Sequence, residues 1–405
     1  MAKKDKVVMG QKIGEAQGFV SAAVHSPVYG VVKDIALHSH AVFGRAEAVI
    51  IDVDPESRSG PITAGQYGSD FDPHKYSAEQ IYEAVANAGI VGMGGAGFPT
   101  SVKLKANPDS PIDTIIINGC ECEPFITCDY RIMLEWTQQI LNGTLLVGRA
   151  LDCANIFIAI EDNKPDAIEA FREAVKQTPG AANVKVAAVE TKYPQGGERQ
   201  LIKAVVDREV PVGGIPPMVN VLVTNVATAA AIADAVVLGR PLTHRVTTVT
   251  GRAIARSGNF YVPIGTSVKT LIDFCGGLTD EAQKVLVGGP MTGFSIGDLT
   301  VPITKTAGSI TVLTEKEMGK AKTAGKETPC IRCGRCIDVC PVNLNPTRIA
   351  HSVKHQLFDV AENYHMAACI ECGCCSYICP ANIEIAGYIK TGKILLARQK
   401  KHMPQ

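Results

Sequence analysis

The chain has 405 residues, of which 46% are hydrophobic and 20% are charged, and its formal net charge is +0. This length allows several domains, and the composition is that of a globular protein with no basic surplus to indicate a nucleic-acid partner. The most apolar stretch, residues 219–239, is interrupted by Asn225 and Asp234. A membrane span needs about 20 mostly apolar residues, so none is predicted there. No apolar core follows Lys3 and Lys4, so we expect no secretion signal and a soluble protein in a reducing compartment.

The first predicted domain covers residues 1–62. Turn signals separate short β-branched runs, which predicts short strands. The pattern at residues 27–35 resembles half of a lipoyl-like sandwich, but no lysine stands at the hairpin tip where that fold would carry a modified one. We expect a barrel-sandwich-like structural platform.

The second predicted domain covers residues 63–242. Helical and strand periodicities alternate along it, which favours an α/β layer with a parallel sheet. Helices are predicted at 77–88, around Val102 and at 164–177, and strands at 113–118, 156–160 and 184–189.

Three further segments complete the chain. Residues 243–314, opened by a strand at 246–250, predict a small α+β module. Residues 315–328 are rich in lysine and glutamate with two glycines, and predict a linker. Residues 329–405 carry the cysteine runs and end in a predicted helix at 389–401.

Nine of the 14 cysteines fall into two runs, at 330–341 and 369–380, and each run fits C-x2-C-x2-C-x3-C-P. In the bacterial ferredoxin pattern, the fourth cysteine of each run binds the cluster of the other run. Two [4Fe–4S] clusters are therefore predicted. Their ligands would be Cys330, Cys333, Cys336 and Cys379 for one cluster, and Cys369, Cys372, Cys375 and Cys340 for the other.

Zinc and disulfides are the alternatives for these cysteines. Structural zinc favours paired C-x2-C knuckles, and disulfides need an oxidising compartment. Cys374 is an extra thiol inside the second run; the spacing leaves it without a cluster, and a small buried residue is the simplest interpretation.

A glycine-rich loop at residues 89–100 reads GIVGMGGAGFPT. Glycines let backbone N–H groups approach phosphate oxygens, and a following helix start favours negative charge. Lys103 can add a point charge. The loop is neither a G-x-G-x-x-G nor a G-K-[ST] motif, and a plain tight turn is the alternative.

The segment at 117–124 follows a predicted buried strand, and ligands of open α/β sheets bind outside the carboxyl ends of strands. Asn118 could hydrogen-bond a flavin ring or ribityl chain. Glu121 and Glu123 could accept from a ribose or a carboxamide; a solvated loop tip is the alternative for either acid.

These motifs together resemble a known family. Residues 92–103 look like the FMN/NADH loop of the flavoprotein subunit of respiratory complex I, and 118–129, 193–198 and 224–228 look like its later flavin and nucleotide segments. The run at 118–131, joined to a double ferredoxin, is closer still to the C subunits of the Rnf electron transport complex. This family usually carries a further N-terminal Gly-Gly-x-His-Pro segment, which the sequence lacks.

The resemblance implies a multidomain α/β and α+β fold. It contains a barrel-sandwich-like region, an FMN/NADH domain, a small ubiquitin-like (SLBB) module and a ferredoxin-like domain with two [4Fe–4S] clusters. The resemblance also implies the cofactor contacts. FMN would be held by Gly92, Gly94, Gly95, Gly97, Lys103, Asn118 and Asn225. NADH would contact Phe98, Glu123 and Glu198, and Glu121 would belong to the same cofactor site.

The implied activity is ferredoxin–NAD+ oxidoreduction coupled to Na+ or H+ translocation. The chain would be a peripheral subunit on the cytoplasmic side of the membrane, with other Rnf subunits as partners and ferredoxin as an indirect one. The alternatives are a soluble electron-transfer protein feeding a proline or cobalamin reductase, and an adaptor that keeps only clusters. The coupling ion, electron direction and cluster potentials stay open, as do the roles of Cys120, Cys122 and Cys128, for which a third cluster is an alternative.

Overall fold

The computed structural model describes residues 1–55, 71–105, 110–318 and 326–402. The predicted boundary at 62/63 and the central part of the predicted linker, 319–325, lie outside the described residues. The predicted fold class is confirmed in each of the four parts described below.

The N-terminal region is all β. Its strands are β1 (Lys6–Val7), β2 (Lys12–Gly14), β3 (Val24–His25), β4 (Gly30–His40) and β5 (Gly44–Val53). Strand β4 lies between β1 and β5 in an antiparallel sheet, and β2 pairs with β3. The expectation of short strands is wrong for β4 and β5, which have 11 and 10 residues. They form one long hairpin that turns at Gly44, where φ is 71°.

The α/β domain contains the predicted parallel sheet, in the order β8-β7-β6-β9. Ile115, Ile116 and Ile117 of the central strand β6 are fully buried, as expected for a sheet covered on both faces. The elements are α1 (Ala78–Asn87), α2 (Thr100–Leu104), β6 (Thr114–Gly119), α3 (Cys128–Glu135), α4 (Thr137–Ala150), β7 (Ile156–Glu161), α5 (Pro165–Gln177), β8 (Val184–Val189), α6 (Glu198–Val206), β9 (Val221–Asn225) and α7 (Val226–Leu238).

Every predicted helix and strand of this domain is present, and local signals explain why. Ser77 and Gln80 form a reciprocal capping box at the start of α1. Sequence patterns did not predict α3, α4, α6, α7 or β9. Helices α4 and α7 are buried on most sides and so carry little amphipathic contrast. The apolar stretch at 219–239 is strand β9 followed by α7, and no described helix is long and apolar enough to cross a membrane.

The SLBB module is a five-stranded mixed sheet, in the order β11-β10-β14-β12-β13. Its elements are β10 (His244–Thr250), β11 (Gly258–Pro263), α8 (Val268–Phe274), β12 (Lys284–Val287), β13 (Phe294–Ile296) and β14 (Ser309–Leu313). The Lys305 ammonium donates to the carbonyls of Ala23 and Gly89, both at 2.6 Å, and so joins this module to the two preceding domains. Burial lowers the pKa of Lys305 to about 8.

The ferredoxin domain is built from short helices around its own core, which includes Ile349, Ile385 and Ile389. Its helices are α9 (Arg335–Asp338), α10 (Pro346–Lys354), α11 (Phe358–Asn363), α12 (Cys374–Ile378) and α13 (Ile385–His402). Gly334 and Gly373 precede α9 and α12 with φ of 80° and 82°. The internal repeat seen in the cysteine spacing is therefore also a repeat of backbone shape. The predicted terminal helix begins at Ile385, four residues before the expected 389.

Candidate flavin site and iron–sulfur sites

The glycine-rich loop folds back on itself above the carboxyl ends of β6 and β9. The N–H of Gly92 donates to Phe98 O at 2.8 Å, and the N–H of Gly97 donates to Gly92 O at 3.1 Å. The N–H of Met93 donates to Thr228 Oγ1 at 2.9 Å, which anchors the loop to α7. The loop is thus a built structure with fixed backbone orientation.

At the turn of this loop, the consecutive N–H groups of Gly94, Gly95 and Ala96 have no acceptor within the described part of the chain. Gly95 has φ of 121° and Gly97 has φ of 66°, which a side chain would strain. A Cβ on Gly94 would lie 3.3 Å from Asn225 Cβ. Successive free N–H groups on a concave backbone form an anion site, so the loop fits an FMN phosphate better than a plain turn.

Two asparagines mark the strand ends beside the loop. Asn225 ends β9 and accepts from the N–H groups of Ala227 and Thr228, which caps α7. Its amide donates to Asp129 Oδ2 at 2.6 Å. Asn118, near the end of β6, donates to Gly196 O at 2.9 Å. The structure therefore brings the glycine loop, both asparagines and the 193–198 turn to one edge of the sheet.

Lys103 and Glu198 were predicted to contact different parts of the cofactors, and the structure pairs them. Lys103 Nζ lies 3.3 Å from Glu198 Oε1 and donates to Val223 O at 3.0 Å. Their side chains are 30% and 41% exposed, so both remain open to a ligand.

Glu121 is not on a solvated loop tip. Its two carboxylate oxygens accept from the N–H groups of Asp129 and Tyr130, at 2.8 and 3.0 Å, and so hold the first turn of α3. Burial, followed by the nearby Asp129 charge, raises the pKa of Glu121 to about 8. Its contact with a nucleotide stays a prediction.

Glu123 is also engaged by protein. Its Oε1 accepts from the Met291 N–H at 3.2 Å, the Thr292 N–H at 2.8 Å and the Thr292 hydroxyl at 2.9 Å. Its Oε2 is buried without a hydrogen-bond partner among the described residues. Glu123 thus binds the SLBB module to the flavin domain, and its contact with NADH stays a prediction.

The three cysteines of the 120–128 segment do not converge. Among the described residues, Cys128 groups with Glu121 and Asp129, with ligand atoms within 4.8 Å of one another. The Cys120 thiol instead contacts Ala159 O at 3.6 Å. This arrangement disfavours a third cluster.

No disulfide joins any of the 14 cysteines, all of which lie in the described part of the chain. Four of them, Cys330, Cys333, Cys336 and Cys379, line one cavity of about 190 Å³. Cys336 lies deepest, whereas Cys330 and Cys333 are exposed. This cysteine set, the first group, takes its fourth member from the second run, as the crossed ligation predicts.

A second cavity is lined by the second group, Cys340, Cys369, Cys372 and Cys375, and by Cys374. Backbone N–H groups point at sulfurs in both groups: Arg332 donates to Cys330 Sγ and Glu371 donates to Cys369 Sγ, each at 3.4 Å. Such donors stabilise thiolates, so the residues around both cavities fit iron–sulfur clusters. A hydrogen bond from Cys374 holds the pKa of Cys372 below its usual range.

Sequence reasoning missed two residues of this region. The first is Asp129, whose carboxylate accepts from the Asn225 amide and whose N–H donates to the Glu121 carboxylate. The second is Tyr193, whose hydroxyl donates to Cys372 O at 2.7 Å. Both lie inside recognised segments, but no local pattern indicates their partners.

Family comparisons cover most of the chain. Residues 1–56 match the RnfC barrel sandwich hybrid domain, 85–234 the Nuo51 FMN-binding domain, 246–295 the SLBB domain and 324–380 the 4Fe-4S dicluster domain. The FMN-binding and dicluster matches support FMN and [4Fe–4S] clusters as cofactors.

Several relatives are similar over most of their length. The C subunit of the proton-translocating ferredoxin:NAD(+) oxidoreductase complex of Clostridium ljungdahlii is 42% identical over 90% of this chain and 77% of that protein. Its counterpart in the Na(+)-translocating complex of Acetobacterium woodii is 40% identical over 89% and 79%. The C subunit of the ion-translocating oxidoreductase complex of Rhodobacter capsulatus is 41% identical over 85% and 64%.

Among solved structures, an NAD+-reducing [NiFe]-hydrogenase in the H2-reduced state superposes with a TM-score of 0.53 at 20% identity. The match covers 82% of this chain and 62% of the hydrogenase chain. At this identity the likeness shows the fold alone.

Proposed function

Because the chain belongs to the family of C subunits of ion-translocating ferredoxin:NAD+ oxidoreductase (Rnf) complexes, we propose that it is the subunit that exchanges electrons with NAD(H). One observation carries this: a glycine loop with three free N–H donors and two four-cysteine cavities occur in one chain. The relatives divide between proton and sodium translocation in their names, so the coupling ion of this protein stays open.

The FMN phosphate would be held by the N–H groups of Gly94, Gly95 and Ala96, with the two asparagines beside it. Bound there, FMN supplies a two-electron acceptor for hydride that can be discharged one electron at a time. This chain orients the reactants. Lys103 and Glu198 would contribute one positive and one negative contact at the cleft, and Phe98 would lie against the nicotinamide nucleotide.

The first cysteine group is the site where electrons would pass between this chain and other proteins. Cys330 and Cys333 are exposed, and the intervening Ile331 is 67% exposed. Arg332 and Arg335 add exposed positive charge beside them. An exposed apolar side chain flanked by arginines suits a docking surface for another electron carrier, which in the proposed setting is a second Rnf subunit on the cytoplasmic side of the membrane.

A pair of glycine variants tests the flavin site. Gly95→Ala places a side chain at φ of 121° inside the free-donor loop, and Gly180→Ala places one at φ of 82° in a surface turn; a Cβ at either position meets nothing within 4 Å. We expect one FMN per chain in the wild type and in Gly180→Ala, and loss of FMN in Gly95→Ala. Retention of FMN in Gly95→Ala would remove the loop from the flavin site.

A second experiment tests the assembly. An affinity-tagged chain purified from native membranes should co-purify with integral membrane subunits, and NADH should bleach its flavin absorbance. Co-purification with a soluble reductase alone would instead favour the alternative electron-transfer role.

A further inference from the structure

Three domains meet at the second cysteine group. Tyr193 of the flavin domain donates from its hydroxyl to Cys372 O at 2.7 Å. On the SLBB side, the loop at Met291 abuts Gly373 so closely that a Cβ there would lie 2.6 Å from Met291 O. Glu123 holds that same loop through its three hydrogen bonds at Met291 and Thr292. The cysteine loop is therefore clamped from two sides.

The contact at Tyr193 also faces the flavin cleft. Its turn is bound to Asn118 through Gly196 O, and Glu198 follows five residues later on α6. One side chain thus spans from the predicted nucleotide site to the backbone of a predicted cluster ligand.

The two cysteine groups differ in their surroundings. The second group is packed against the flavin domain and the SLBB module, and Lys390 of α13 adds a cation–π contact at 4.3 Å from the Phe294 ring centroid. The first group presents exposed Cys330 and Cys333 to solvent. Electron transfer is steeply distance-dependent, so the packed group is the one suited to exchange with the flavin cleft.

We propose that Tyr193 is a positioning residue that, through the Cys372 carbonyl, fixes the second cysteine group against the flavin site and tunes the cluster held there. This inference rests on the proposed function. In the NADH-oxidising direction, NADH would be oxidised to NAD+, its two electrons would reduce the two clusters by one electron each, and one proton would leave to water. The second-group cluster comes before the first-group cluster on that path.

The test uses anaerobically purified holoprotein and dithionite titration followed by EPR, which needs no NADH. Tyr193→Phe keeps the ring and removes only the hydroxyl donor. We expect full iron and FMN content, a lowered midpoint potential for one cluster and an unchanged potential for the other, because a lost hydrogen bond near a ligand disfavours the reduced cluster. Tyr29→Phe, at a side chain 42% exposed in the N-terminal region, is the matched control and should change neither potential.

Ligand variants identify the shifted signal. Cys372→Ser should perturb the same EPR signal that Tyr193→Phe shifts, and Cys330→Ser should perturb the other one. If the shifted signal belongs to the Cys330 cluster, or if neither potential moves, the inference is overturned.

Rates of flavin bleaching and of cluster reduction test the role of Tyr193 separately from the proposed function. After mixing with NADH, Tyr193→Phe should bleach flavin at the wild-type rate but reduce the clusters at least roughly tenfold more slowly. That factor corresponds to ~1.4 kcal/mol in the activation barrier. Unchanged cluster reduction would overturn the inference, whereas failure of NADH to bleach the wild-type flavin would instead overturn the proposed function. If Tyr193→Phe proves unstable, Gly373→Ala is the second variant. Its added Cβ would crowd Met291 O of the SLBB module, and we expect it to slow cluster reduction as well.

Discussion

Lys103 and Glu198 form an ion pair, with 3.3 Å between Nζ and Oε1, across the cleft between the glycine loop and α6. The pair is partly exposed, so its own contribution to stability is small, at about 0–1 kcal/mol. Its place between two recognised segments gives it a role in ligand binding: each member can exchange its partner for a group on the nucleotide.

Glu198→Gln removes the negative charge and keeps the side-chain size. We expect the KM for NADH to rise roughly tenfold, equivalent to ~1.4 kcal/mol of binding, with unchanged iron content and cluster spectra. Steady-state NADH oxidation with an artificial acceptor measures this. Glu190→Gln, in the exposed pair with Lys192, is the control and should leave the KM unchanged. A wild-type KM in Glu198→Gln would exclude Glu198 from the nucleotide site.

Asn225→Ala removes both a helix cap and the hydrogen bond to Asp129. A lost cap costs about 1 kcal/mol, and a buried acceptor left without its donor costs a further ~1–3 kcal/mol. Ser267→Ala removes the cap of α8 and an exposed hydrogen bond with the Thr270 hydroxyl, and should cost about 1 kcal/mol. Urea unfolding should therefore show a larger loss for Asn225→Ala, accompanied by weaker FMN binding. Equal losses in the two variants would mean that the Asp129 contact contributes little.

The buried Glu121 predicts a pH dependence of stability. Its pKa rises from 4.5 to about 8 on folding, so the native state binds the proton more tightly than the unfolded state. The contribution to stability is complete below pH 4.5 and is lost as the pH rises towards 8. The free energy of unfolding, measured in urea between pH 5 and pH 8, should fall less steeply in Glu121→Gln than in the wild type. Parallel curves would show that Glu121 titrates normally in the folded protein.

Crossed ligation makes a specific prediction for the fourth cysteine of each run. Cys379→Ser should disturb the EPR signal that Cys330→Ser also disturbs, because both line the first cavity. Cys340→Ser should disturb the signal shared with Cys369→Ser. The wild type should contain about eight iron atoms per chain, the sum of two four-iron clusters. If Cys379→Ser instead matched Cys369→Ser, each run would bind its own cluster.

Arg332 and Arg335 are exposed beside the first group. Positive charge favours the reduced, more negative cluster, so the double change to Gln should lower the potential of the first-group cluster and leave the second unchanged. Arg398→Gln on the exposed part of α13 is the control for charge loss. Potentials that do not differ from the wild type would show that solvent screens both arginines.

Much of the fold followed from local patterns. Helical apolar spacing at 77–88 predicted α1, and short apolar runs predicted β6, β7 and β8 because each is a strand of the buried sheet. Helices α4 and α7 were not predicted. They pack so closely on each other that a Cβ on Gly143 would lie 1.8 Å from Ala229 O. A helix buried on nearly every side has no polar stripe to reveal its period.

For the site residues, too, local sequence was informative at some positions and not at others. Gly95 and Gly97 were predicted as FMN contacts because glycines let backbone N–H groups approach a phosphate. Both have positive φ in the structure, and their contact with FMN stays a prediction. Glu123 was predicted to accept a hydrogen bond from a nucleotide, and in the structure its Oε1 accepts hydrogen bonds from the SLBB loop. A carboxylate has the same sequence signature whether it accepts from a ligand or from a neighbouring domain, so composition could not separate the two.

Cysteine spacing and glycine positions act over a few residues, so the amino-acid sequence alone specifies which cofactors the protein can bind. The spacing also predicts the crossed cysteine groups. How the sites connect depends instead on tertiary packing. Tyr193 and Cys372 are 179 residues apart, and Lys103 and Glu198 are 95 apart. Such contacts depend on how separately folded domains pack, and no local period encodes that packing.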